Sequence, residues 1–233
     1  MIAALAGIRM LTRKLRRDLW RVKGQAFAII LVIGAGIALL VMSRGMIASL
    51  DATMKAYYSR YHFADAYAPV KRAPDRLIEE IRAIDGVSAA EDRVVGGGLV
   101  SVVGVAAPIS TRMVSLRPGA AYRINDVHLV RGRLPRIDAS DEALLLQPFA
   151  NAHGLSPGDE LAVTMHGAQR RFRIVGLALS PEFIYTIPPG DFASDPARFA
   201  VLWIGERTME GAFDLDGASN EAVLTLSHTA NEK

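Results

Sequence analysis

Seventeen consecutive residues, Ala26 to Met42, carry no charge: Ala-Phe-Ala-Ile-Ile-Leu-Val-Ile-Gly-Ala-Gly-Ile-Ala-Leu-Leu-Val-Met. As an α-helix this run covers roughly 26 Å, at about 1.5 Å per residue. Extended through Gly24 and Ser43 it reaches the ~30 Å of a bilayer hydrocarbon core. The run predicts a transmembrane helix over 24–43, which separates a short N-terminal arm from the bulk of the chain.

The flanks predict its direction. Residues 1–25 hold Arg9, Arg13, Lys14, Arg16, Arg17, Arg21 and Lys23 against one acid, Asp18. Basic juxtamembrane segments stay cytoplasmic. The expectation is a plasma (inner) membrane protein with a cytoplasmic N-terminus and its main part periplasmic or extracellular. A cleaved signal peptide is the alternative, but its apolar region is typically about 7–15 residues and ends in small residues. This run is longer and ends Leu40-Val41-Met42-Ser43-Arg44. A buried core helix is disfavoured by the basic residues packed on one side.

Charge obeys the same division. The chain has 27 basic and 24 acidic residues. Without the 7 basic and 1 acidic residue of 1–25, 20 basic face 23 acidic. The excess of positive charge therefore belongs to the arm, where it meets anionic lipid head groups rather than nucleic acid. Leu5, Ile8, Leu11, Leu15, Leu19 and Val22 recur every three or four residues, with the basic residues between them. This pattern predicts an amphipathic interfacial helix over 1–23, with Trp20 at the lipid boundary. Arg13, Lys14, Arg16, Arg17, Arg21 and Lys23 are the candidate lipid-contacting cations. Within the spanning run, Gly34 and Ala38 share one face and offer close approach to a second helix.

Beyond the membrane, Met46, Ile47, Leu50, Met54, Tyr57, Tyr58 and Tyr61 keep helical spacing. A stalk helix is predicted over 44–63. An extracytoplasmic domain over 64–233 comes next, long enough for its own core and for two subdomains, the second from about 130. Strands are expected over 64–70, 87–95, 99–105, 112–116, 143–146, 161–165, 170–179, 199–204 and 222–226. A helix is expected to open at Pro74-Asp75-Arg76, and Gly96-Gly97-Gly98 reads as a turn or bulge. The fold class is α+β.

Catalytic patterns do not emerge. His62, His128, His153, His166 and His228 are scattered, with no His-x-x-x-His spacing. Asp138, Asp141 and Glu142 read as a solvated loop rather than a metal site. There is no Gly-x-Ser-x-Gly elbow and no phosphate-binding Gly-Lys-Ser/Thr. Cysteine is absent. The expectation is a protein without enzymatic activity, cofactor or metal. An anchored hydrolase with an unrecognised site is the weaker rival.

Two stretches carry a family resemblance. Leu15-Arg16-Arg17-Asp18-Leu19-Trp20-Arg21-Val22-Lys23-Gly24-Gln25, running into the apolar helix, resembles the N-terminus of FtsX-like/MacB-like ABC transporter permeases. The second begins at Val130-Arg131-Gly132-Arg133-Leu134-Pro135 and passes through Asp141-Glu142-Ala143-Leu144-Leu145. It continues as Ala150-Asn151-Ala152-His153-Gly154-Leu155-Ser156-Pro157-Gly158-Asp159-Glu160-Leu161 and ends at Phe172-Arg173-Ile174-Val175-Gly176. It resembles the MacB-like periplasmic core domain of that family. The resemblance implies a permease subunit that couples a cytoplasmic ABC ATPase to movements of a periplasmic domain, for export, lipoprotein release or activation of a periplasmic partner. It also implies a homodimer. Family members carry three further spanning helices, so the resemblance implies that this chain is a truncated permease. A single-pass sensor or adaptor ectodomain is the alternative from another class.

Overall fold

The computed structural model describes residues 14, 16–18, 20–117, 119, 124–185 and 194–227. The chain is an α+β protein that divides into two compact units, Met1–Ala56 and Tyr57–Lys233.

The first unit is dominated by helix α1, Lys23–Arg60, whose last turn belongs to the second unit. No residue of α1 is buried, and it is long and apolar enough to cross a membrane. Phe27, Ile29, Leu31, Val32, Ile33 and Leu39, all exposed, are spread around the whole circumference at about 100° per residue. An apolar surface in every direction belongs in lipid, where each backbone polar group must be satisfied within the helix. After Gln25, polar side chains return only from Ser43 onward, and in this C-terminal half Lys55 and Asp51 pair at 2.8 Å. Gly45 does not break the helix. The stalk pattern runs to Tyr61, but the helix ends at Arg60 because His62 takes a left-handed backbone (φ 49°). Phe63 N–H then donates back to the Tyr58 carbonyl at 3.0 Å, closing the terminus in a Schellman-type turn without glycine.

Among its described residues the second unit contains two sheets. β1 (Ala66–Pro74), β10 (Ala218–Leu226) and β2 (Val87–Arg93) form an antiparallel sheet in the order β1-β10-β2. Helix α2 (Leu77–Arg82) connects β1 to β2 and buries Ile78. The second sheet has the order β5-β8-β6-β9-β4-β3-β7. Its strands are β3 (Val95–Ser101), β4 (Ile109–Leu116), β5 (His128–Gly132), β6 (Glu142–Leu146), β7 (Glu160–Met165), β8 (Ala168–Leu179) and β9 (Phe199–Gly205). β7 pairs with both β3 and β8, so six of these strands close into a ring, with β5 attached along the far half of β8. The two parts of the domain are therefore not consecutive: β3 and β4 join strands that come after residue 130, and β10 leaves them. The division expected near 130 fails because pairing is set by this ring, not by chain order.

Alternate residues fill the ring: Met113, Leu145, Val163, Met165, Phe172, Ile174 and Leu202, all at most 1% exposed. The opposite faces pack a second core of Val114, Leu144, Leu146, Val175, Val201 and Trp203. Burial on both faces explains why Ala143-Leu144-Leu145-Leu146 is continuously apolar rather than alternating. Helix α3 (Gln147–His153) starts with Pro148 in its first turn and stops at left-handed Gly154 (φ 66°). A 3-10 turn, Pro181–Phe183, and helix α4, Glu206–Phe213, are the remaining described elements.

Gly96-Gly97-Gly98 is not a turn. It lies inside β3, paired with Met113, Arg112 and Thr111 of β4. A Cβ on Gly96 would overlap the Phe213 ring, and one on Gly98 would collide with the Thr164 carbonyl oxygen. Gly96 and Gly98 are strand residues required by close approach, whereas a Cβ on Gly97 would meet nothing within 4 Å.

Candidate functional site

Arg93 is a charged residue at the end of β2, and its side chain is 9% exposed. Its Nη1 and Nη2 donate to both oxygens of Glu182, at 2.7 and 2.8 Å. Its Nε donates to Glu221 Oε2 at 2.6 Å. The other oxygen of Glu221 accepts from Arg112 Nη2 at 3.2 Å. Two arginines thus face two glutamates, a neutral set that suits burial. Burial alone would lower the Arg93 pKa, but the bonds to Glu182 and Glu221 outweigh it and hold the guanidinium charged.

The four residues come from four places. Arg93 and Glu221 lie on β2 and β10 of the small sheet; Arg112 lies on β4 of the ring and Glu182 in the 3-10 turn after β8. A second tie runs beside it. Arg117, just after β4, holds Asp92 through two bonds of 3.1 and 2.9 Å and reaches Glu206 of α4 at 2.5 Å. Adjacent residues of β2 therefore grip different parts of the larger sheet and its connections.

Asn125 connects this network to the end of α1. Its Nδ2 donates to Glu182 Oε2 at 3.1 Å and to the Tyr67 hydroxyl at 2.9 Å, and its Oδ1 accepts from Ala64 N–H at 2.9 Å. The backbone N–H groups of Asn125 and Asp126 donate to the carbonyls of His62 and Tyr61, at 2.9 and 3.0 Å. The Tyr61 hydroxyl bonds His128 Nδ1 at 2.7 Å. Arg93 also stacks 5.6 Å over the Tyr67 ring. Burial, with the Glu182 charge nearby, pushes the Tyr67 hydroxyl up to about 12.

Glu142, expected on a solvated loop with Asp138 and Asp141, is instead the first residue of β6 and 2% exposed. Arg133 clasps it with bonds of 2.7 and 2.6 Å, and Arg136 adds its backbone N–H at 3.0 Å. These bonds, against an opposing burial penalty, hold its carboxyl at about 2.

Ala26, Gly34, Ala38 and Met42 all lie on α1, none of them buried; a Cβ on Gly34 would meet nothing within 4 Å. Lys14, Arg16, Arg17, Arg21 and Lys23 are exposed, with Lys23 Nζ 5.1 Å from the Trp20 ring centre. Arg13, the apolar residues Leu5, Ile8, Leu11, Leu15 and Leu19, and His228 fall outside the described residues. Among the described residues, no group of His, Cys, Asp and Glu has the arrangement of a metal site. Sequence reasoning misses the network because its members are separated by up to 128 residues. The one local signal is charge inside strands, at Arg93 and Glu221.

No family model matches the sequence, and no curated protein matches it. Solved structures do. The extracellular domain of the noncanonic ABC-type transporter YknZ from Gram-positive bacteria aligns at 10% identity and a TM-score of 0.43, covering 68% of this chain and 75% of that one. The periplasmic region of MacB from Actinobacillus actinomycetemcomitans aligns at 14% identity and a TM-score of 0.42, covering 69% and 68%.

Proposed function

We propose that this chain works within an ABC transporter permease subunit, carrying motion from a cytoplasmic ATPase to an extracytoplasmic domain. In this reading α1 crosses the plasma (inner) membrane with its N-terminus inside, and the basic arm lies on anionic lipid. The Gly34/Ala38 face meets a second helix in a homodimer. The role is mechanical, with no catalysis of its own.

The observation that carries the reading is the join at the outer end of α1. Tyr61 and His62 accept backbone hydrogen bonds from Asp126 and Asn125, and Asn125 binds the carboxylate that Arg93 holds. A helix ending in a flexible linker would lose a displacement of its axis. A helix whose last turn is tied to a buried ion network passes that displacement to both sheets. The two resembling stretches support the same reading.

The test is affinity purification of the tagged chain from native membranes in mild detergent, with quantitative mass spectrometry. An ABC-type ATPase enriched in stoichiometric amount is expected. Enrichment of other envelope proteins without any ATPase would overturn the reading in favour of a single-pass adaptor.

A further inference from the structure

We propose that the C-terminal end of α1 is a one-turn switch, in which residues 61–64 exchange between the turn described above and a wound form that continues the helix to Ala64. Nothing in the local sequence stops α1 at Arg60: no glycine or proline occurs from Met46 to Ala68. The stop is made by His62, whose φ of 49° is left-handed. A residue with a Cβ is strained in that backbone and keeps it only where surrounding contacts impose it.

The contact that imposes it is a second residue of the same kind. Asn125 is also left-handed, with a φ of 55°, and is buried. Its N–H donates to the His62 carbonyl at 2.9 Å, and its Oδ1 accepts from the Ala64 N–H at 2.9 Å. Two of the four non-glycine residues with positive φ among the described residues thus hold one another. The other two, His166 and Asp214, sit in a hairpin turn and at the end of α4, where such a backbone closes a local turn.

Winding keeps the backbone donors of the turn satisfied. In the turn the His62 N–H reaches the Ser59 carbonyl at 3.5 Å, the Phe63 N–H reaches Tyr58 at 3.0 Å, and the Ala64 N–H is on Asn125. In the wound form the same three N–H groups meet the carbonyls of Tyr58, Ser59 and Arg60, the i−4 pattern of an α-helix. Winding relieves the left-handed His62. Against that, it takes the His62 carbonyl from the Asn125 N–H and the Ala64 N–H from Asn125 Oδ1, and it draws out Ala64, which is buried but small. The opposing changes are few and alike in kind, which is what a two-state element needs. Asp65 sets the limit. Its N–H donates to the Leu224 carbonyl at 2.8 Å and its carboxylate accepts from the Leu226 N–H at 2.8 Å, so the small sheet holds it. Four residues, about 6 Å of helix, are the whole stroke.

The test uses the full chain in maltoside micelles. Because the chain has no cysteine, spin labels can be placed at Ser59→Cys and Lys71→Cys, both exposed, and pulsed electron paramagnetic resonance reads the distance between them. Substitutions at His62 then bias the switch in opposite directions. Glycine takes a left-handed backbone without strain and disfavours helix, whereas alanine does the reverse. His62→Ala should show a second distance, shifted by several ångströms. His62→Gly should reduce that population about tenfold or more relative to His62→Ala. Asn125→Gly keeps a left-handed backbone but removes the acceptor for Ala64, so it should show the second distance as well. The proposal is overturned if His62→Ala or Asn125→Gly keeps one unchanged distance, or if His62→Gly matches His62→Ala. The switch supplies the coupling reading with its regulated element and rests on that reading for its use. Loss of the distance change overturns the switch alone, and absence of a co-purifying ATPase overturns the coupling alone.

Discussion

Arg93 holds Glu182 through two parallel hydrogen bonds of 2.7 and 2.8 Å, with the two side chains 9% and 12% exposed. The fork-to-carboxylate geometry fixes distance and orientation together, so the 3-10 turn carrying Glu182 cannot slide against β2 without breaking both bonds. Glu221 occupies the remaining edge of the same guanidinium. One side chain thereby sets the spacing of the small sheet against the ring.

Arg93→Met should cost about 3–5 kcal/mol, since it strands two buried carboxylates. Adding Glu182→Gln and Glu221→Gln to that variant should recover part of the loss. Chemical denaturation of the full chain, read by Trp203 fluorescence in a Trp20→Phe background, measures both. A loss under about 1 kcal/mol for Arg93→Met, the level of an exposed pair, would show that the network does not hold the sheets together.

Acid should expose the Glu142 clasp. Its folded carboxyl sits at about 2, below the unfolded value of about 4.3. The unfolded chain therefore takes up the proton first as pH falls. The stabilisation is complete above about pH 4.5 and is lost progressively toward pH 2, on the order of 2 kcal/mol after screening of the half-exposed Arg133. Glu142→Gln should flatten this part of the stability–pH curve. An unchanged acid limb in that variant would refute the assignment.

Base should reveal Tyr67. Its folded hydroxyl is raised to about 12, above the unfolded value of about 10. The unfolded chain then releases its proton first. The contribution is fully present below about pH 10 and is lost as pH rises toward about 12. Difference absorbance in the near ultraviolet should show one tyrosine titrating late, and Tyr67→Phe should remove that late step.

Gly96→Ala should destabilise by about 1–3 kcal/mol through overlap with the Phe213 ring. Phe213→Leu should lower that penalty if the overlap is its cause. Equal penalties in both backgrounds would place the strain elsewhere in β3.

Membrane orientation can be read without background, because the chain has no cysteine. Val103, fully exposed between β3 and β4, tolerates Val103→Cys. In intact spheroplasts a membrane-impermeant maleimide should label that thiol, while Lys14→Cys should react only after lysis. The reverse pattern would invert the topology.

What is legible in the sequence is local. The run 26–42 and the strands expected over 143–146, 161–165, 170–179 and 199–204 each rest on neighbouring residues, and each has its counterpart in the structure. What escapes the sequence is long-range. The glycine triplet looks like a break until Phe213, more than a hundred residues away, takes the space that a side chain on Gly96 would occupy. Glu142 looks solvated because Arg133 and Arg136 reach it only after the chain turns back. His62 ends α1 with a backbone that sequence rules assign to glycine.

The position of β10 between β1 and β2 has a temporal consequence. β1 is the first strand after the long apolar helix, and its partner in the small sheet is the last described strand. About 150 residues must emerge before the sheet nearest the helix in sequence can close. Glu221 travels on that same last strand, so Arg93 gains its second carboxylate at the same moment. Closing so long a loop is entropically unfavourable and slow. The small sheet that follows α1 is thus completed as a late event of biogenesis, and a ribosome stalled before Ala218 leaves β1 and β2 without the strand that joins them.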